Sequence, residues 1–291
     1  MEIDCYLKQL TSSAKPLNHS DLVHFSHLNR NDLELLRRHW KHVPLERRIL
    51  LIASMRRLAE DNIELDFTAV LKLCLSDEDA TIREHAIDGL WECDQISLIP
   101  MLLSSLESDD SADVRAAAAS ALGRFIELAQ DGKLVTVRTE DLSYPLTGII
   151  ENESETLAVR RRSLESISVL STPNILQLIR SCYEHHNQRM KESAIYAMGK
   201  NGHPAWIPIL IAEVSNEDPA IRYEAAAACG KIGDPSSINS LHKLLTQEDD
   251  AEVIVAAIHA LGAIGGPAAK HALVSIYDPD DEVGRDEITS T

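Results

Sequence analysis

Aromatic side chains are scarce in this sequence: three Trp, six Tyr and three Phe among 291 residues. Any core must therefore be aliphatic, and Leu, Ile and Ala fill the periodic positions. Strand-like alternation is nearly absent, which excludes a sheet-based fold. Long apolar runs are missing too. WIPILIAEV, from Trp206, is far shorter than the roughly 20 residues that span a bilayer. Five cysteines, at 5, 74, 93, 182 and 229, show no paired spacing, so neither a disulfide framework nor a zinc ribbon is expected. Cys74 and Cys229 fall at apolar helical positions and read as buried thiols. The start, MEIDCYLKQL, lacks the basic-then-apolar order of an export signal, and with the odd cysteine count it leads us to expect a cytoplasmic, reducing location. No glycine-rich phosphate loop occurs.

Charge is plentiful but uneven. The net charge is -18, yet residues 1–60 hold ten Lys and Arg against seven Asp and Glu. The rest of the chain is strongly acidic. Such a body repels phosphate, so neither nucleic acid nor a membrane surface is an expected partner. The basic first part and the acidic end make self-association through those two surfaces an expectation.

What is present is a repeat. DPAIRYEAAAACGKIGDP, residues 218–235, has cousins in DATIREHAIDGL, DVRAAAASALGRF, AVRRRSLESISVL, RMKESAIYAMGKNG and EVIVAAIHALGAIGG. The basic residue or its substitute falls at Arg83, Arg115, Arg160, Lys191, Arg222 and Ile254, in steps of 32, 45, 31, 31 and 32 residues. Each repeat reads as a helix A and a helix B. In the 218–235 repeat, Asp218 and Pro219 open helix B and Gly233 closes it. Numbering helix B from the basic residue, offsets -1, +3, +4 and +7 are apolar or small, as at Ile221, Ala225, Ala226 and Cys229, and predict the buried stripe.

The spacing predicts an N-terminal helical capping region over 1–61 with a basic surface, repeats over 62–266, and a degenerate cap with an acidic tail over 267–291. The 45-residue step places an insertion near 127–141. There helix B either runs on past Phe125 or a loop bulges. The doublets Arg37-Arg38, Arg47-Arg48 and Arg56-Arg57 read as the polar sides of the capping helices. His24 and His27 have a spacing seen in metal sites but no completing ligand, and no metal site is expected.

DATIREHAIDGLWE, SADVRAAAASALGRF, ETLAVRRRSLESI, DPAIRYEAAAACGKIGDP and AEVIVAAIHALGAIGG together resemble the bacterial HEAT-like repeat family with short units, over about residues 62–275, and the N-terminal pair of helices is expected to belong with them. The resemblance implies an all-α fold, a right-handed α-solenoid of two-helix repeats. It also implies that the repeat arginine is structural and pairs with an acid near the A–B turn. Asp79 and Asp218, at offset -4, are the expected partners. The outward B-helix face would line the inner surface. There Tyr196, Lys200, Tyr223 and Lys231 are expected to converge as a partner-binding set, with Glu192, His259 and Arg124 on the same face and Trp91 at offset +8 as a further anchor or a cover for the core.

The same face bears on enzymatic readings. Deoxyhypusine hydroxylase, a HEAT-like family, holds two irons through His-Glu pairs just after the repeat arginine. That slot here reads Glu84-His85, Ala116-Ala117, Arg161-Arg162, Glu192-Ser193, Tyr223-Glu224 and Val255-Ala256. No His-Glu pair occurs, and one reversed pair cannot build a dinuclear site. HEAT-like DNA glycosylases need a basic inner face that this acidic chain lacks. The sequence reading is therefore a non-catalytic scaffold or adaptor for another protein or peptide, with no cofactor and no catalytic residue. Its alternative is a protein-modifying enzyme or accessory factor, bilin-lyase-like or chaperone-like.

Overall fold

The computed structural model of the chain describes residues 6–7 and 19–275. Cys5, most of the leading segment and the acidic tail from Ile276 onward lie outside the described residues, as does the tail half of the expected C-terminal cap. Among the described residues every regular element is helical, and the fold is an all-α solenoid of helix repeats. No helix among them is long and apolar enough to cross a membrane.

The chain divides into two compact units, Met1–Arg162 and Ser163–Thr291. The first contains α1 (His19–Leu22), α2 (Arg30–Trp40), α3 (Leu45–Asp61), α4 (Thr68–Cys74), α5 (Ala80–Gly89), α6 (Ile99–Ser108), α7 (Ala112–Gln130) and α8 (Thr139–Glu151). The division falls inside α9 (Leu157–Ile167). The second unit continues with α10 (Pro173–Tyr183), α11 (Gln188–Asn201), α12 (Ile207–Glu213), α13 (Pro219–Ile232), α14 (Ile238–Leu245), α15 (Ala251–Ile264) and α16 (Gly266–Ser275). In each unit an A helix packs on its B helix, and B helices pack on one another: α3 on α5 and α5 on α7 in the first, α11 on α13 and α13 on α15 in the second.

Local chemistry explains the B helices. The Asp218 carboxylate accepts from the Ala220 amide at 2.8 Å, and Pro219 occupies the first turn, where no amide partner is needed. Gly233 ends α13 with φ 74°, a left-handed angle that a side chain disfavours. Asp79, Asn187 and Asp250 cap α5, α11 and α15 in the same way. Ile221, Ala225, Ala226 and Cys229 are buried as the stripe requires. Burial pushes the Cys229 thiol up to about 12, and Cys74 is buried and shifted upward for the same reason. At the insertion both expected features occur in succession: α7 runs on to Gln130, and a loop over 131–138 follows.

The repeat arginine is structural, but its partner differs from the expectation. Asp79 and Asp218 give their oxygens to helix amides and leave the guanidinium to reach forward. Arg83 grips both oxygens of Asp109 at 2.7 Å, while its remaining nitrogen donates to the carbonyls of Asp77 and Glu78. Arg115 treats Glu155 in this way at 2.9 and 2.7 Å, and Arg222 grips Glu248 at 2.5 and 2.8 Å. Each clamp ties its own A–B turn to the next one, in the bidentate geometry that guanidinium and carboxylate share.

The series of clamps begins before Arg83. Arg48, only 5% exposed, donates to both Asp77 oxygens at 2.7 Å and to Glu78 at 2.9 Å, and Trp40 Nε1 adds a bond to Asp77 at 2.6 Å. The Arg47-Arg48 doublet is therefore buried rather than part of a basic outer surface. The carboxylate 29 residues on draws Arg48 inward and makes the α2–α3 pair a full repeat.

Candidate functional site

The close stacking of B helices fixes what each repeat can place near its end. In the C-terminal unit a methyl group on Gly199 would lie 2.7 Å from Ala228 Cα, and one on Gly230 would lie 2.7 Å from Ala260 Cα. Offset +8 of one B helix thus presses on offset +6 of the next, and only hydrogen fits there. The same slot holds Gly123, Ser168 and Gly262 in other repeats. In the first unit the sizes reverse between α3 and α5: the stem of Arg56, at +8 from Arg48, lies against Gly89, whose added methyl would sit 3.0 Å from Arg56 Cγ.

One repeat after Arg48 the slot holds Trp91. Helix α5 ends at Gly89 after 10 residues and α9 after 11, whereas α11, α13 and α15 each run for 14. Trp91 leaves the helix and stands 58% exposed. It borders a groove of about 480 Å³. Buried Phe67, Leu71 and Leu90 supply apolar surface to the groove, Ile63 stands 97% exposed beside it, and Cys93 contributes a half-buried thiol. Glu60, Asp66 and Glu92 bring carboxylates. Arg56, the groove's one cation, lies 3.6 Å from Asp88. Asp66 caps the Thr68 amide at 2.8 Å. Burial works to raise its carboxyl, but the bonds to Thr68 outweigh that and hold it below the ordinary range.

On the B face of this unit Glu84 moves the other way. Burial first, then the like charges of Asp113 and Asp88, push its carboxyl above the ordinary range. Of the pair His24 and His27, His24 bonds the Tyr6 hydroxyl at 2.9 Å, and His27 bonds the Glu64 carbonyl at 2.9 Å.

The other residues singled out by the sequence are placed as follows. In the C-terminal unit Lys231 Nζ lies 4.3 Å above the Tyr196 ring, a cation–π contact that joins α13 to α11. Lys200 reaches the Glu165 carbonyl at 3.3 Å. Tyr223 is 40% exposed, Glu192 is half-buried and His259 is exposed. Trp91 and Arg124 belong to the first unit, and Arg124 is committed to Asp94 at 2.6 and 2.9 Å. The sequence reading missed Ile63, Phe67 and Cys93. Their signal was the size of Trp91 in a slot that is otherwise mostly Gly or Ser.

A HEAT-repeat profile matches residues 67–154 and 207–291, more than half of the chain. The chain belongs to the HEAT-repeat family. Among curated proteins it is similar to deoxyhypusine hydroxylases. That of Phaeosphaeria nodorum is 30% identical over 131 residues, 41% of this chain and 40% of the relative. That of Rattus norvegicus is 28% identical over 97 residues, 33% of this chain and 32% of the relative. The matched stretch is thus well under half the length of these relatives. Among solved structures, the complex of CpcE and CpcF of phycocyanin lyase from Nostoc sp. superposes with a TM-score of 0.59 at 14% identity, covering 96% of each chain, which shows the shared fold.

These relatives overturn the non-catalytic scaffold reading and the expectation that the chain is not an enzyme. The iron motif is missing, yet the wider sequence of the repeats aligns with an enzyme family. The iron pair still does not fit. The slots after the repeat arginines at 115, 160 and 222 carry no imidazole, and no cluster of three or more metal-donor side chains occurs among the described residues.

Proposed function

We propose that the chain is an enzyme, or the accessory factor of an enzyme, that modifies a protein, and that the Trp91 groove receives the substrate. The observation that carries this reading is the local identity with deoxyhypusine hydroxylases. The groove lends support, because its volume falls in the range of sites that take a small ligand or a side chain. The clamps of Arg48, Arg83 and Arg115 support it further. They hold successive turns rigidly, and a rigid frame lowers the entropic cost of docking. Cys93 is the thiol we assign to meet the groove's occupant. The reading includes a cytoplasmic location and the short-unit subtype of the family, on the 31- and 32-residue steps.

The test compares intact protein masses in the native host with and without the gene, and with the gene restored. A host protein whose mass changes in the deletion and returns on restoration is the expected result. Identical mass profiles across the three strains would refute the reading.

A further inference from the structure

We infer that the Trp91 groove binds a basic segment of a protein chain in which a large apolar side chain is flanked by lysine or arginine. The inference rests on the reading above and names the substrate class of that same groove.

Three observations lead to it. The first is the apolar surface. Ile63 and Trp91 stand in water beside Phe67 and Leu71, and an indole wall with an aliphatic base gives one large side chain a place to be buried. The second is the balance of charge. Glu60 and Glu92 are exposed at the groove and have no ion-pair partner among the described residues. Asp66 adds a third negative charge. The cation within the groove, Arg56, has Asp88 beside it, so its charge is already answered. Nearby, Lys72 donates to neutral Gln95 and Ser97 at 2.7 and 3.0 Å and keeps its charge, which with that of His27 acts on Asp66, and Arg124 is held by Asp94.

The third observation is what this charge repels. Two unanswered carboxylates on an acidic body disfavour a nucleic acid, an anionic lipid surface or an acidic peptide, and they attract a basic one. The indole face adds attraction for a cation lying over it. A peptide with one apolar anchor between basic residues satisfies both the apolar surface and the carboxylates. A neutral apolar ligand would leave Glu60 and Glu92 unanswered.

The experiment uses the full chain and three blocked nonapeptides: one with a central leucine between pairs of lysines, one with glutamates for the lysines, and one with serine for the leucine. Binding is read by anisotropy of a label on the peptide. The site is read by tryptophan emission, because Trp40 and Trp206 are buried and Trp91 is the exposed indole. The lysine–leucine peptide should bind saturably and shift Trp91 emission to shorter wavelength. The glutamate peptide should not bind, and the serine peptide should bind about tenfold more weakly. Glu60→Gln with Glu92→Gln, both exposed positions, should weaken the lysine–leucine peptide about fivefold and flatten its salt dependence while leaving the melting temperature unchanged. Equal binding of the acidic peptide, an unmoved Trp91 emission, or an unaffected double variant would each overturn the inference. If the host still shows a mass change that depends on the chain, only this inference fails. If the peptide binds at Trp91 and no host protein changes mass, the groove stands as a basic-peptide site and the modification reading fails.

Discussion

The two units treat one slot of the same repeat in opposite ways. In the C-terminal unit Gly199 and Gly230 let α11, α13 and α15 stack almost backbone to backbone. In the N-terminal unit Trp91 occupies the equivalent position, α5 stops a turn early, and a groove opens. The arginine clamps persist in both units, at Arg83 and Arg115 in the first and at Arg222 in the second. The turns therefore stay tied together while the B-helix ends diverge. A solenoid can carry a pocket beside a large residue in a slot that is mostly Gly or Ser elsewhere, without disturbing the ties that hold successive turns.

The largest effect expected from breaking this contrast is at Gly230. Gly230→Val drives a branched side chain into Ala260 Cα and should destabilise the C-terminal unit by about 3 kcal/mol or more, measured by denaturant unfolding. Next is the clamp. Arg222→Ala leaves Glu248 facing its neighbours without a counter-charge and should cost about 2–3 kcal/mol, with Arg222→Lys recovering only part because an ammonium cannot make the paired bonds.

Acid should weaken the clamps in a defined window. The Arg115 guanidinium holds Glu155 below its ordinary value of 4.5, and Arg222 does the same for Glu248. A carboxylate depressed in the folded state stabilises fully above its unfolded value, and that contribution is lost as pH falls through the folded one. Melting temperature should hold above about pH 5 and drop as pH falls below about 4.5. Hydrogen exchange on Arg222→Ala should show the part due to Glu248 gone from the C-terminal unit while the N-terminal unit keeps its own acid dependence. The smallest effect belongs to Trp91. Trp91→Ala removes an indole that is mostly in water and should change stability by less than about 1 kcal/mol in the same unfolding measurement.

Much of the fold was legible because caps and periodicity are local. Asp218, Pro219 and Gly233 declare the ends of α13 within one stretch of chain. The clamp partners were not legible, since Asp109 and Glu248 lie 26 residues beyond their arginines and the nearer aspartates are taken by helix amides. Arg48 was hidden in a doublet that reads as surface until Asp77 is seen beside it. Trp91 was visible as an exposed anchor or a core cover, but choosing between them requires knowing that offset +8 presses on the next helix. Activity was the least legible part. The iron motif of the enzymatic relatives is absent, and the rest of what a site does is carried by side chains from separate repeats.

The most direct test returns two variants to the deletion host, one bearing Trp91→Ala and the other Tyr196→Ala with Tyr223→Ala, with intact host-protein masses as the readout. We predict that the tyrosine variant restores the modified mass and the Trp91 variant does not. Restoration by Trp91→Ala together with failure of the tyrosine variant would contradict the assignment and move the working site to the C-terminal unit.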